Sequence, residues 1–394
     1  MSSNPRNDVL STNVKYKPFK TFVSLSWDGK PRIVHKFTHS LTQYTPSSYA
    51  EITMVYPKKD INTFLAIEQT PIVSRAVSVS CITQGFGANT IYDNDASSKI
   101  FGGPWKLICV DYSMNPAPAS MITDEIDTTP TESYIIVLKC VDRVWYSMTL
   151  EEKFGTFSPK TYKNISDCVR YILNTHRAKG MEVDDNNVSF PWSQSKMTDY
   201  QFIRSILAYC NPPGFHFFCN NEIGYFKPIG TAGCIPGEIE INLQGRSVSN
   251  LVSTVNKQYL EKISDGPMVV PFGEGFDDDT HETQQANPLG GSGKSGGGMR
   301  YINFAIDNPA IKKAFAANIN FRTRMFGRVV KLKTFLMTDY NPLYTVKLKN
   351  NAPEKYPTLA SGEYYVVSLK NEIYYQANWS EIPCCWMVLA RGGD

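Results

Sequence analysis

Histidine is scarce in this 394-residue chain, and His35, His39, His176, His216 and His281 stand at no zinc-like spacing from cysteine. No metal ion or other cofactor is therefore expected. No uninterrupted apolar run approaches the roughly 20 residues needed to cross a bilayer, so no membrane insertion is expected. The polar start, Met1-Ser-Ser-Asn-Pro-Arg-Asn-Asp8, lacks the basic-then-apolar order of a secretory signal. An excess of one charge is also missing. Forty Lys+Arg against 37 Asp+Glu leave +3, with no dense basic run of the kind that marks a nucleic-acid footprint. Sequence-specific nucleic acid binding is not expected, and pairs such as Lys58-Lys59 and Lys312-Lys313 read as solvated faces. The nine cysteines are odd in number and scattered. Cys81, Cys109 and Cys140 fall in apolar strand-like runs, and the adjacent Cys384 and Cys385 suit alternating sheet faces. Buried free thiols in a reducing cytoplasm are the simpler account. Asn164-Ile-Ser and Asn378-Trp-Ser match a glycosylation acceptor, which has no meaning without a signal segment.

What is abundant is aromatic: 22 Tyr and 21 Phe lean the chain toward β-structure. Its length predicts two to four domains. Ile52, Met54 and Tyr56 alternate with Thr53 and Val55. Val73, Arg75, Val77, Val79 and Cys81 alternate with Ser74, Ala76, Ser78 and Ser80. Period two is the mark of a half-buried strand. Further strands are expected over 19–26, 31–38, 105–112 and 134–141, with Pro57, Pro71, Gly85, Gly87, Gly102-Gly103-Pro104 and Pro116-Ala-Pro118 as punctuation. Many short strands with long loops suggest a barrel or sandwich.

After residue 160 the period changes. Ile165, Val169, Ile172 and Leu173 predict an amphipathic helix that stops at Gly180. Thr198-Asp-Tyr-Gln201 is a capping box that opens a second helix with the apolar face Phe202, Ile203, Ile206, Leu207 and Cys210. Asn211-Pro-Pro-Gly214 ends it. Phe215-His-Phe-Phe-Cys219, a turn at Asn220-Asn221 and Ile223-Gly-Tyr-Phe226 predict a β-hairpin packed on that helix. Residues 264–299, rich in Gly, Asp, Pro and Gln, read as a loop or linker. Asn308-Pro309 opens a third helix with the stripe Ile311, Phe315 and Ile319. Strands then return over 328–336, 343–349, 363–370, 372–376 and 383–390. The class is α+β, mainly β.

No catalytic pattern in the sequence is complete. Gly293-Lys294-Ser295 resembles the end of a phosphate loop, but Pro288 stands where its leading glycine belongs. Gly293-Lys-Ser-Gly-Gly297 matches a nucleophile elbow in letters, yet a polyglycine run imposes no strained strand-to-helix turn. Asp277-Asp278-Asp279 with His281 and Glu282 lacks the spaced oxygen ligands of a calcium loop. His216, inside the hairpin, reads as a core or interface residue. Counting acidic pairs decides nothing about glycosidase chemistry. No catalytic, cofactor-binding or metal-binding residue is assigned.

Pro191-Trp192, then Thr198-Asp-Tyr-Gln-Phe-Ile-Arg-Ser-Ile-Leu-Ala208, then a hairpin ending Tyr225-Phe226, resembles the baseplate hub family of contractile phage tails. Its relatives include phage late control protein D and the N-terminal hub part of type VI secretion spike proteins. Ser361-Gly-Glu-Tyr-Tyr-Val-Val-Ser-Leu369 and Trp386-Met-Val-Leu-Ala-Arg391 look like the closing strands of that family's second barrel. The resemblance implies two small β-barrel domains with an inserted α/β unit, assembled as a homotrimer into a pseudo-sixfold ring. On that template residues 1–147 form a first, tube-facing barrel and 148–230 the α/β unit. Residues 231–307 form a connecting segment, and 308–394 a helix plus the second barrel. The implied function is structural, without enzymatic activity: a symmetry adaptor between a hexameric tail tube protein and a trimeric central spike protein. Other baseplate proteins and the tape-measure protein are further implied partners. Its place would be the virion tail baseplate, after assembly in the host cytoplasm. The chain ends shortly after its last strand with no repetitive β-tail, so the spike is expected to be a separate polypeptide. Phe315 and Arg322 on the third helix are the candidate interface residues. Two other readings stay open: a tail-associated peptidoglycan hydrolase, and the hub of a related extracellular contractile injection system.

Overall fold

The computed structural model of the chain describes residues 20–25, 31–43, 46–65, 75–83, 99–117, 133–241, 251–255, 268–272, 299–303, 308–325, 328–334, 340–351, 353–354, 361–374 and 384–391. Its N-terminal part holds β1 (Lys20–Leu25), β2 (Pro31–Thr42), β3 (Tyr49–Pro57), α1 (Lys58–Leu65), β4 (Ala76–Thr83), β5 (Lys99–Pro116) and β6 (Ser133–Asp142). The ladders run β1-β4-β5-β6-β3-β2, and β1 pairs back onto β2, so these antiparallel strands form a closed ring of pairings. Alternation fills its inside. Ile52, Met54 and Tyr56 on β3 are fully buried with Phe37, Trp105, Leu107, Ile136 and Leu138. Lys58 and Lys59 are exposed, as expected of a solvated pair, but they open a helix that the sequence patterns did not disclose.

At the end of β6 the chain turns into α2 (Arg143–Met148) and continues through β7 (Glu152–Phe157), α3 (Ile165–Thr175), β8 (Gly180–Val183), β9 (Trp192–Thr198), α4 (Asp199–Leu207), β10 (Phe215–Asn220) and β11 (Ile223–Pro228). Both expected helices form. Asn164 caps α3 by accepting from the Asp167 amide, 3.0 Å. The Thr198 box closes in both directions, with Gln201 N–H donating to Thr198 Oγ1 at 3.2 Å and Thr198 N–H donating to Gln201 Oε1 at 2.8 Å. Ile165, Val169, Ile172 and Leu173 share one core with Phe202, Ile203, Ile206, Phe215, Phe217 and Phe226. The hairpin β10–β11 forms and adds β8 in parallel. Its two-residue turn is Asn221-Glu222, one position beyond the expected one. Both residues have positive φ (55° and 64°), the sign a tight hairpin turn requires.

The C-terminal part holds β12 (Cys234–Ile241), β13 (Leu251–Val255), β14 (Met268–Phe272), β15 (Met299–Asn303), α5 (Pro309–Met325), β16 (Arg328–Thr334), β17 (Thr345–Asn350), β18 (Gly362–Tyr374) and β19 (Cys384–Arg391). β18 replaces the two strands expected over 363–370 and 372–376. Asn371 is no break, because it is buried and stays in register with both Cys385 and His39. β19 occupies one edge of β18; on the other, Gly362–Tyr365 pairs with β17 and Ser368–Tyr374 pairs with β2. The strands of both ends thereby join in one curled 12-stranded sheet. Among the described residues no ladder closes β12 onto β13. Pro309 begins α5 as expected, but its inward stripe is Ile311, Ala314, Asn318, Phe321 and Met325, while Phe315 is only half-buried at its margin.

Ile206 and Phe202 are each 1% exposed. Truncating Ile206 to alanine should cost about 2–5 kcal/mol, read as a lower denaturant midpoint at unchanged slope. A cost under roughly 0.5 kcal/mol, the scale of ordinary surface substitutions, would contradict this packing.

Candidate functional site

Two convergences of buried polar groups stand out among the described residues of the α/β unit. The first is where the hairpin turn meets the closed ring. Asp142, fully buried, accepts from the amides of Val144 (2.8 Å) and Trp145 (3.4 Å) and so caps α2. Its second oxygen accepts from the Glu222 amide at 2.7 Å, and its own amide donates to Ser47 Oγ at 3.0 Å. Cys219 N–H donates to the Pro46 carbonyl, and Ser48 N–H donates to the Cys219 carbonyl. The Glu222 carboxylate receives Arg143 Nε at 2.5 Å and the Lys179 ammonium. Burial pushes the Asp142 carboxyl up to about 6, against the pull of its amide donors. Burial also works against Glu222, but Lys179 and Arg143 outweigh it and hold that carboxyl below its ordinary value.

The second place is a chain of side chains from three helices. Ser147 Oγ lies 2.9 Å from His176 Nδ1, and His176 Nε2 lies 2.7 Å from Asp199 Oδ2. Asp199 also takes Lys153 Nζ at 2.6 Å and Gln194 Nε2 at 2.9 Å. In connectivity this is a nucleophile, a base and an orienting carboxylate. Two features weigh against a nucleophilic serine. Ser147 Oγ donates to the Val144 carbonyl of its own helix at 2.8 Å, and Asp199 is neutralised by Lys153. The helix ends supply a structural account: His176 is the C-cap of α3 and Asp199 the first residue of α4, the ends where the helix dipole favours a cation and an anion. Sequence reasoning missed the chain because its members sit on separate elements and no local motif joins them.

Phe315 lies with its ring 5.5 Å from that of Tyr209, and Arg322 follows two turns later on α5, directly after buried Phe321. Asn318 between them fastens α5 to the α/β unit, donating to the carbonyls of Cys210 (2.6 Å) and Ala314 (2.9 Å) and accepting from the Gly214 amide (3.0 Å). Gly214 has φ +89°, and a Cβ there would stand 2.6 Å from the Phe321 ring. His216 is buried and stacks on Phe218. The Gly290–Gly298 tract and the acidic run at 277–282 lie outside the described residues. Among the described residues no group of three or more His, Cys, Asp or Glu is placed to hold a metal ion, and no helix is long and apolar enough to cross a membrane.

No family model matches the chain, and no curated protein matches it by sequence. Solved structures do match. A tail protein from Neisseria meningitidis MC58 aligns at TM-score 0.55 and 9% identity over 95% of this chain and 97% of that one. The 43 kDa tail protein of prophage MuSo2 from Shewanella oneidensis aligns at TM-score 0.55 and 8% identity over 94% and 98%. The E. coli c3393 protein, a type VI secretion component with structural similarity to the T4 tail proteins gp27 and gp5, aligns at TM-score 0.51 and 10% identity over 94% and 77%. The chain has the mainly β fold of phage tail proteins and their type VI secretion counterparts.

Asp199 carries a testable signature. Burial opposes its charge, but His176, Lys153 and Gln194 together lower its carboxyl from 3.8 to about 2. A depressed folded value adds stability above the unfolded value, and that stability is lost as pH falls through the folded one. The amount is about 2 kcal/mol, since each pH unit that separates the two values is worth about 1.4 kcal/mol. Urea denaturation of the wild type and Asp199→Asn should differ most at pH 5 and above and converge toward pH 2. A difference that stays constant across that range would contradict the charged clasp.

Proposed function

We propose that the chain is the baseplate hub of a phage contractile tail: a homotrimer that adapts a hexameric tail tube to a separate trimeric central spike. The observation that carries the reading is the fold likeness to phage tail proteins, which spans almost the whole of both chains. In this reading the closed strand ring is one β-domain and the C-terminal strands of the shared sheet belong to another, so that three chains present six related surfaces to a sixfold tube. In this reading the C-terminal strands complete a second barrel and the role is structural, without catalysis. α5 around Phe315 and Arg322 lies at the subunit interface. Tube, spike, other baseplate proteins and the tape-measure protein are its neighbours in the virion, after assembly in the host cytoplasm. The hub of a related extracellular contractile injection system would have the same fold and symmetry.

One observation favours a second reading. The Ser147–His176–Asp199 chain has the connectivity of a hydrolase, which would make the protein a tail-associated peptidoglycan hydrolase. Light scattering on the purified chain, paired with zymography on peptidoglycan, separates the two. The hub reading expects a trimer mass, no lytic band, and Ser147→Ala indistinguishable from wild type. A monomer with a lytic band that disappears in Ser147→Ala would replace it with the hydrolase. Arg322→Glu should lower the trimer fraction while leaving the circular dichroism of the chain unchanged.

A further inference from the structure

Cys109 on β5 and Cys140 on β6 stand directly opposite each other in an antiparallel ladder of the closed ring. The Cys109 amide points away from β6 and donates to the Arg75 carbonyl at 3.0 Å. A strand residue sends its N–H and C=O to the same side, so toward β6 the pair occupies a non-hydrogen-bonded position of the ladder. At such positions the Cα atoms approach to about 4.5 Å, within the roughly 4.4–6.8 Å that a disulfide spans. Both thiols are free, and both are fully buried in the ring's core. Among the described residues no other two cysteines are register partners. The ladder is interrupted beside the pair, with a register shift between Cys109 and Asp111 that the Cys109 thiol spans by donating to the Asp111 carbonyl at 3.4 Å. Such a shift disrupts the ladder locally, between Cys109 and Asp111.

We propose that Cys109 and Cys140 are a redox-active pair that closes into a cross-strand disulfide on exchange with a low-molecular-weight disulfide such as oxidised glutathione. During a local opening at the bulge, the Cys109 thiolate attacks one glutathione sulfur, forming a mixed disulfide and releasing one glutathione thiol. The Cys140 thiolate then attacks Cys109 Sγ and releases the second. Two protein thiols are oxidised, one glutathione disulfide is reduced to two thiols, and the two cysteine protons pass to them through solvent. The hydrogen bond from Cys140 draws the Cys109 thiol below its ordinary value and raises that of Cys140, which makes Cys109 the attacking group. The consequence is a ring that is a dithiol in a reducing cytoplasm and becomes cross-linked between β5 and β6 outside it. The inference goes beyond the hub reading and stands whether or not that reading does.

The test uses the full chain, equilibrated in glutathione buffers from fully reduced to fully oxidised. Remaining thiols are alkylated under denaturing conditions and peptides mapped without reduction. The expected result is a peptide linking Cys109 to Cys140, lost on adding dithiothreitol, while Cys140→Ala accumulates one glutathione on Cys109. Recovery of both residues as alkylated thiols in the oxidised buffer would overturn the proposal. So would a different linked pair formed while these two remain thiols. Should the alanine variant fail to fold, the wild-type peptide map decides alone.

Discussion

The ladder between β2 and β18 is the contact on which the architecture depends. Seven residues of β18, from Ser368 to Tyr374, pair with Thr42 back to Lys36 on β2. These segments lie at opposite ends of the sequence, so closing the ladder fixes nearly the whole chain at once, at the entropic cost of a very long loop. What offsets that cost is the burial of one apolar face of the ladder. Leu369 and Ile373 on β18 and Phe37 and Leu41 on β2 are all nearly inaccessible, and Gln43 extends the join by bonding to the carbonyls of Val366 and Val367. β18 is long enough to serve two neighbours on one edge, which lets it join ring strand β2 and C-terminal strand β17 in one sheet.

Between them the α/β unit is held by polar groups placed where backbone dipoles favour them. Asp142 caps a helix while accepting the amide of the hairpin turn, and Glu222 in that turn receives Arg143 and Lys179. The buried carboxylates respond to acid in opposite ways. Asp142, raised by burial, is more easily accommodated when protonated, so it contributes less as pH rises from about 4 to about 6. Asp199, lowered against burial by its hydrogen bonds with His176, Lys153 and Gln194, contributes most above the ordinary carboxylate range. The unit is fastened by arrangements that satisfy several partners at once, and removing one member leaves the others desolvated and unpaired.

Where local chemistry decides structure, the sequence was readable. The capping box at Thr198, the periodicity from Ile165 to Leu173 and the alternation at Ile52–Tyr56 each appear as expected. Elements set by distant partners were not. β7 and β8 carry weak or no alternation and exist because β9 and β11 pair with them; α2 is a short helix signalled only by Asp142. The rotation of the α5 stripe follows from Asn318, a polar residue buried because three backbone groups satisfy it, which an apolar-only pattern overlooks. The Ser147–His176–Asp199 chain was invisible for a similar reason, since only the packing of three helices brings it together. Of the candidate interface residues Phe315 and Arg322, Phe315 takes a half-buried place against Tyr209.

The hub reading makes a claim about numbers that symmetry turns into a measurement. Three chains with two β-domains each must face a sixfold tube through six related surfaces, in one layer of threefold symmetry. Electron cryo-microscopy of phage tails assembled with the tagged chain tests that directly, with symmetry assigned locally at the junction of tube and spike. The account predicts three copies of the chain in one ring, seated against six tube subunits. Six copies in that ring, or density for the chain elsewhere on the tail, would contradict it.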